Sequence, residues 1–223
     1  MTEKGAPASG EGGELFDLYS RDGTPLGIRK ERALVHRAGD WHRSIALWIV
    51  RLSGSMILQE RSAGKDTWPH RLTASVSGHY AAGEALSDVL READEELGVK
   101  ANVAGLIALG VWAHGDSPGP GMVDRELADV FLWRLDLPLT SFKPNPDEVC
   151  ALVEIDVEEL ERVLADPRYG GRGTRLNVAD HAVQSVRVCR DQFVPSHDYH
   201  ACVVRAALAL TAGKPVIPLA VPW

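Results

Sequence analysis

Three stretches of the chain repeat their apolar residues on a helical period. The first begins at Leu86, where Leu86, Val89, Leu90, Ala93 and Leu97 stand at offsets of 3, 4, 7 and 11 and so share one stripe of an amphipathic helix. Gly98 follows in the position where helices commonly end. Residues 157–164 (VEELERVL) predict a short helix stopped by Pro167, and residues 199–211 a closing helix. Elsewhere the pattern is that of strands. Residues 44–52 (SIALWIVRL) and 56–60 (MILQE) flank Ser53-Gly54-Ser55, which predicts two antiparallel strands and a tight turn. Strands are also expected at 103–112 and 127–135, around a Gly/Pro-rich loop at 116–121, and at 149–155. Residues 15–28 read as a small hairpin turning at Arg21-Asp22-Gly23-Thr24-Pro25, residues 61–71 as a polar loop, and residues 168–196 carry no clear period.

Length and composition narrow this to one domain with extensions: a tail at 1–14, a domain at 15–165 with the hairpin at its N-terminal end, and a helical extension at 166–223 packed on the same domain. The opening dozen residues, Gly-rich and polar, are expected to be disordered and carry no apolar segment of a secretory signal. No run of 18 apolar residues occurs, so no membrane span is expected. With 24 Lys+Arg against 31 Asp+Glu, the formal charge of -7 argues against nucleic-acid binding by phosphate neutralisation. Cys150, Cys189 and Cys202 show no CxxC pairing, which fits a reducing, cytoplasmic setting better than a disulfide framework.

Six acidic side chains crowd residues 77–99, SGHYAAGEALSDVLREADEELGV. Glu92, Glu95 and Glu96 are related as i, i+3 and i+4 and project from nearly one side of the predicted helix, opposite its apolar stripe. Like charges so placed repel by about 0.2–0.5 kcal/mol per pair, a cost that a divalent cation reverses. Hard oxygen donors of this kind suit Mg²⁺ or Mn²⁺ better than Zn²⁺.

Gly78, Gly83, Glu84, Arg91, Glu92, Glu95, Glu96 and Gly98 stand in an order that resembles the Nudix box, G-x5-E-x7-R-E-U-x-E-E-x-G-U with U a bulky aliphatic. The resemblance implies an α/β (α+β) fold, an αβα sandwich with a mixed sheet and a loop-helix-loop. It also implies MutT-like chemistry: water attacks a phosphorus and splits a small-molecule substrate of the nucleoside diphosphate-X type. Carried over residue by residue, Glu92, Glu95 and Glu96 would hold the metal, and Arg91 would pair with Glu84 to keep the loop folded on the helix. Metal ions would thus keep the carboxylates together. Six residues (ALSDVL), not seven, separate Glu84 from Arg91. A residue lost inside a helix turns everything beyond it by roughly 100°, so the loss is expected at 85–87, with Ser87 as N-cap.

Further segments, VHRAGDWHRSIALWIV, KDTWP, ASVSGHY and DRELADVF, look like the branch related to isopentenyl diphosphate isomerase. The resemblance implies a second metal set from His36, His42, His79, Asp124 and Glu126. Glu126 leads as the base that activates water and as a further metal ligand, with Asp124, Glu95 and Glu96 as other candidates for a catalytic role. Lys65 and Arg71 are candidates for contacting phosphate, and Trp41, Trp48, Trp68, Trp112 and Trp133 for stacking on a base. Where the isomerases carry a catalytic Cys, immediately before Gly78, this chain has Ser77, a poorer proton donor near neutral pH. The usual WPGxW turn is altered to Trp68-Pro69-His70-Arg71-Leu72. The reading is therefore a pyrophosphohydrolase using Mg²⁺ or Mn²⁺. An isopentenyl diphosphate isomerase and a non-catalytic diphosphate-binding module stay open as alternatives, and by analogy with the fold so does a homodimer.

Overall fold

Ten residues, Trp41–Val50, form a strand buried on both faces from Ser44 onward, and the rest of the chain is laid against it. The computed structural model describes residues 13–119 and 121–219. The expected disordered tail lies, for residues 1–12, outside the described residues. In chain order the elements are β1 (Leu15–Tyr19), β2 (Pro25–Glu31), α1 (Arg32–Ala38), β3 (Trp41–Val50), β4 (Ser55–Arg61), β5 (Leu72–Thr73), β6 (Val76–His79), α2 (Leu86–Val89), α3 (Arg91–Leu97), β7 (Leu106–Gly119), β8 (Met122–Arg134), β9 (Val149–Asp156), α4 (Val157–Ala165), β10 (Gly170–Asn177), β11 (Val183–Cys189) and α5 (His197–Thr211).

The sheet is mixed. Strand β3 meets β4 antiparallel only at Ile49↔Ile57 and Val50↔Met56, then turns to β6 over Ser44–Leu47. Its other edge runs parallel to β8 in unbroken register from Trp41↔Arg125 to Val50↔Arg134. Side chains on β3 alternate strictly: Ala46, Trp48 and Val50 pack with α4 and α5, while Ile45, Leu47 and Ile49 pack with Val89, Ala93 and Leu97 of the acidic segment. Burial on both faces explains why this strand reads as a continuous apolar run. The two cores make the sheet the middle layer of an αβα sandwich. Asp156 caps α4 by accepting from the amides of Glu158 and Glu159 at 2.9 and 3.2 Å. Among the described residues no helix is long and apolar enough to cross a membrane.

The structure departs from the sequence pattern in four places. Residues 32–38 are helical although only Val35 among them is buried, too few for a visible stripe. Strand β7 starts at Leu106, after a 3-10 turn at Val103–Gly105, and with β8 forms one long hairpin across the expected Gly/Pro-rich loop. The segment after 165, expected to be helical, first adds the hairpin β10–β11 to the sheet edge beyond β9 and only then forms α5. Finally, the helix predicted from Leu86 is broken into α2 and α3 at Leu90.

Helix α5 buries His200, 2% exposed, against Trp48 and Phe193, with ring centroids 5.6 Å from each and Nδ1 unpartnered. Burial, aided by nearby His197, lowers its pKa from 6.5 to about 3. Protonation therefore favours the unfolded chain: the contribution to stability is complete above pH 6.5 and is lost as pH falls from 6.5 towards about 3. In His200→Phe the melting temperature is expected to fall less steeply on acidification below pH 6.5, in thermal melts at matched ionic strength.

Candidate active site

Glu84, Glu92 and Glu95 are gathered by one cation. Arg91 donates from Nε and Nη2 to the two oxygens of Glu84 at 2.8 and 3.3 Å, and from Nη1 to Glu92 and Glu95 at 2.7 and 2.9 Å. Glu84 in turn accepts the Ala81 amide at 2.8 Å, which ties the loop to α3. Two of the three carboxylates expected to be held by metal ions, Glu92 and Glu95, are thus already held by a guanidinium. Glu96 is 2% exposed and turns away, accepting from the Ser77 amide at 3.0 Å and from Gln59 at 3.2 Å. Its burial raises its pKa to about 7, against the pull of the Ser77 amide. Burial also raises the pKa of Glu92.

The ion pair between Glu84 and Arg91 survives the short spacing because regular helix stops at Val89 and resumes at Arg91. That replaces the expected adjustment at 85–87. Ser87 is not the N-cap either: Ala85 holds that position, and Asp88 accepts its amide at 2.9 Å. Gly78 is required by contact, since a Cβ there would lie 2.3 Å from Cδ of Glu92. Gly98 closes α3 with φ of 67°, the left-handed conformation that glycine adopts at least cost.

A second cluster lies across the neighbouring strands. Rung by rung, His79 on β6 faces Ser44 on β3, His42 on β3 faces Glu126 on β8, and Glu126 faces His114 on β7. Glu126 binds His79 Nε2 at 3.2 Å, the Ser44 hydroxyl, and His114 Nε2 at 3.5 Å. Although burial opposes it, the hydrogen bonds from His114 and His79 hold Glu126 well below the usual carboxylate range. Asp124 moves the other way, to about 7, through burial and the charge of Glu126.

Ligand atoms of His36, His42, His79 and Asp124 lie within 4.8 Å of one another. His36 Nε2 and His42 Nε2 approach Asp124 Oδ1 at 3.6 and 3.7 Å, and all three atoms are buried without a hydrogen-bond partner. His42 Nδ1 stands 3.1 Å from the Asp40 carbonyl, so its proton belongs on Nδ1 and its lone pair on Nε2 faces the cluster. Burial lowers both His36 and His42 to about 4, which keeps them neutral. Unpartnered buried donors converging in this way fit a divalent cation. Phe16, on the N-terminal hairpin, stacks on His42 and His79 with centroids 5.0 and 5.1 Å away, so the hairpin walls the cluster.

Two cavities meet here. One, of about 560 Å³, is lined by Glu92, Glu95, Glu96, Arg61 and Lys65 among others. The other, of about 630 Å³, is lined by Trp68, Trp112, His114, Tyr199 and the start of α5. Ser44, Ile45, Arg61, Ser77 and Glu126 border both.

A model of the NUDIX domain matches residues 40–172 of the chain. The chain belongs to the Nudix family. An uncharacterized Nudix hydrolase of Clostridium acetobutylicum is 31% identical over 87% of this chain and 97% of its own. Nudix hydrolase 3 of Arabidopsis thaliana is 35% identical over 70% of this chain, which spans only 21% of that protein. An isopentenyl-diphosphate Delta-isomerase of Streptomyces avermitilis is 28% identical over 77% of this chain and 86% of its own, which places the protein in the isomerase-like branch of the superfamily. A crystal structure from Deinococcus radiodurans shares the fold at a TM-score of 0.52, with 24% identity over 68% of this chain and 89% of that one.

Of the residues expected at the Nudix site, Glu92, Glu95, Glu96, Glu126 and Lys65 line the acidic cavity. Arg71 does not: it donates to the Asp191 carbonyl and borders neither cavity. Arg61, anchored to Thr67 at 2.9 and 3.0 Å, borders both cavities; it opens the stretch that reads as a polar loop, and the structure makes it the last residue of β4. His114 was also missed, because only the β7–β8 register places it opposite Glu126. Trp68 and Trp112 border the larger cavity, Trp48 and Trp133 are buried, and Trp41 borders neither cavity. Gly78→Ala is expected to push Glu92 out of place and destabilise the protein by about 1–3 kcal/mol in urea unfolding, the usual cost of overpacking.

Proposed function

We propose that the protein is a divalent-metal-dependent pyrophosphohydrolase that cleaves the diphosphate of a nucleoside diphosphate-X type substrate. The observation that carries this reading is the junction of the two cavities at Glu126, Ser77 and Arg61. A diphosphate seated in the acidic cavity would reach Arg61 and Lys65 on one wall and the box carboxylates on the other. The attached group would extend past Glu126 to Trp68, Trp112 and Tyr199.

Nudix hydrolases generally use divalent metals, and Glu92, Glu95 and Glu96 would hold Mg²⁺ or Mn²⁺, with His36, His42, His79 and Asp124 as a second set. Bound there, such ions neutralise phosphate charge and make water more acidic. The chain's own residues supply the rest. Glu126, fixed by Ser44, His79 and His114 where the cavities join, is placed to take a proton from water. His114, whose pKa is raised by Glu126 although burial opposes it, donates to Glu126 and keeps that carboxylate aimed at the junction. Arg61 and Lys65 orient the phosphates. Ser77 speaks for hydrolysis over isomerisation, because its hydroxyl cannot deliver a proton to a double bond as a thiol can.

Purified protein screened with Mg²⁺ and with Mn²⁺ against nucleotide sugars, dinucleotides, coenzyme A and isopentenyl diphosphate is expected to release phosphate-bearing products without migration of a double bond. Glu126→Gln and Glu96→Gln should each lower kcat on the order of 10² or more, with a smaller effect from Ser77→Ala. Bond migration without cleavage would reject the proposal. Added Mn²⁺ is expected to raise the melting temperature, and His42→Gln to diminish that rise.

A further inference from the structure

Two irregularities of the backbone bring three side chains together away from both cavities. The first is on β9. Glu60 pairs with Ala151 and Arg61 with Val149, so Cys150 between them has no partner on β4 and forms a bulge. Bulges re-aim side chains, and here the Cys150 thiol donates to Glu60 Oε1 at 3.2 Å and to the Arg61 carbonyl at 3.4 Å. The second is His70, which has φ of 59°, a left-handed conformation that costs a non-glycine residue energy. Glycine would adopt that conformation without strain, and a residue with a metal-binding ring stands there instead. Ligand atoms of Glu60, His70 and Cys150 lie within 4.8 Å of one another.

We propose that Cys150, His70 and Glu60 form a separate site for Zn²⁺ that clips the loop between β4 and β5 to strand β9. One sulfur, one imidazole and one carboxylate are the donor types of a zinc site with a fourth position left for water, and they suit Mg²⁺ poorly. Arg175 holds the other oxygen of Glu60 at 2.9 Å, an outer contact that aims Oε1 at the thiol. His70 is exposed, which gives the ion a path in from solvent. Ligation displaces the thiol proton to solvent, and the ion takes the place of the S–H···O contact. The clipped loop carries Lys65 to the acidic cavity and Trp68 to the aromatic one. The ion would therefore set the position of groups that line the catalytic cavities without touching substrate.

Co²⁺ replaces Zn²⁺ at such sites and reports sulfur ligation by a thiolate charge-transfer band in the near ultraviolet. Full-length, chelator-treated protein in excess Mg²⁺ is titrated with Co²⁺. A saturable band is expected, absent in Cys150→Ser and needing at least ~10-fold more Co²⁺ in His70→Gly. His70→Gly keeps the turn folded, because glycine adopts that conformation freely. The histidine cluster near Asp124 holds no sulfur and cannot produce the band. No band, or a band that persists at parent affinity in either variant, overturns the proposal.

Discussion

One guanidinium sets the form of the acidic cavity. Arg91 offers a planar fork of donors to Glu84, Glu92 and Glu95 at once, a geometry that an ammonium on a flexible stem does not reproduce. Through Glu84 and Ala81 it binds the loop after β6, and through Glu92 it presses α3 onto the strand at Gly78. Because the tie runs through side chains, the backbone is free to lose a residue, and the break at Leu90 takes up the difference. Metal ions would enter a framework that is already closed.

The sheet carries the other half of the site. His79, Ser44, Glu126 and His114 come from four neighbouring strands, and each meets the next because the ladder puts it there. The N-terminal hairpin, an appendage by its position in the chain, is part of this wall through Phe16. At the opposite end of the chain, the start of α5 closes the larger cavity. Residues well outside the box thus shape the space into which a substrate's variable group would extend.

How much of this could be read from the sequence follows from burial. Residues 41–61 and 149–165 bury regular faces, and their elements stand where the apolar period puts them. The box could be read because its spacing is chemical as well as structural. Helix α1 stayed hidden since Val35 is its single buried side chain and the apolar Leu34 beside it is exposed, so no stripe forms. The hairpin β10–β11 stayed hidden since β10 begins GGRG, with Gly171 and Gly173 admitting close approach of Val163 and the Glu154 carbonyl, and β11 is largely exposed. Arg61, Arg71 and His114 differ in role only through register and side-chain direction, which composition does not encode.

The unbroken pairing of β3 with β8 reaches beyond geometry. A shift of one residue along that ladder would conserve most of its hydrogen bonds, yet it would turn Asp124 and Glu126 to the far side of the sheet and leave three imidazoles facing an empty wall. Such a chain could keep its strand content and pass a circular dichroism comparison while being inert. For this protein, turnover is the stricter assay of correct threading, because it reads the alignment of two strands more than eighty residues apart to within a single position.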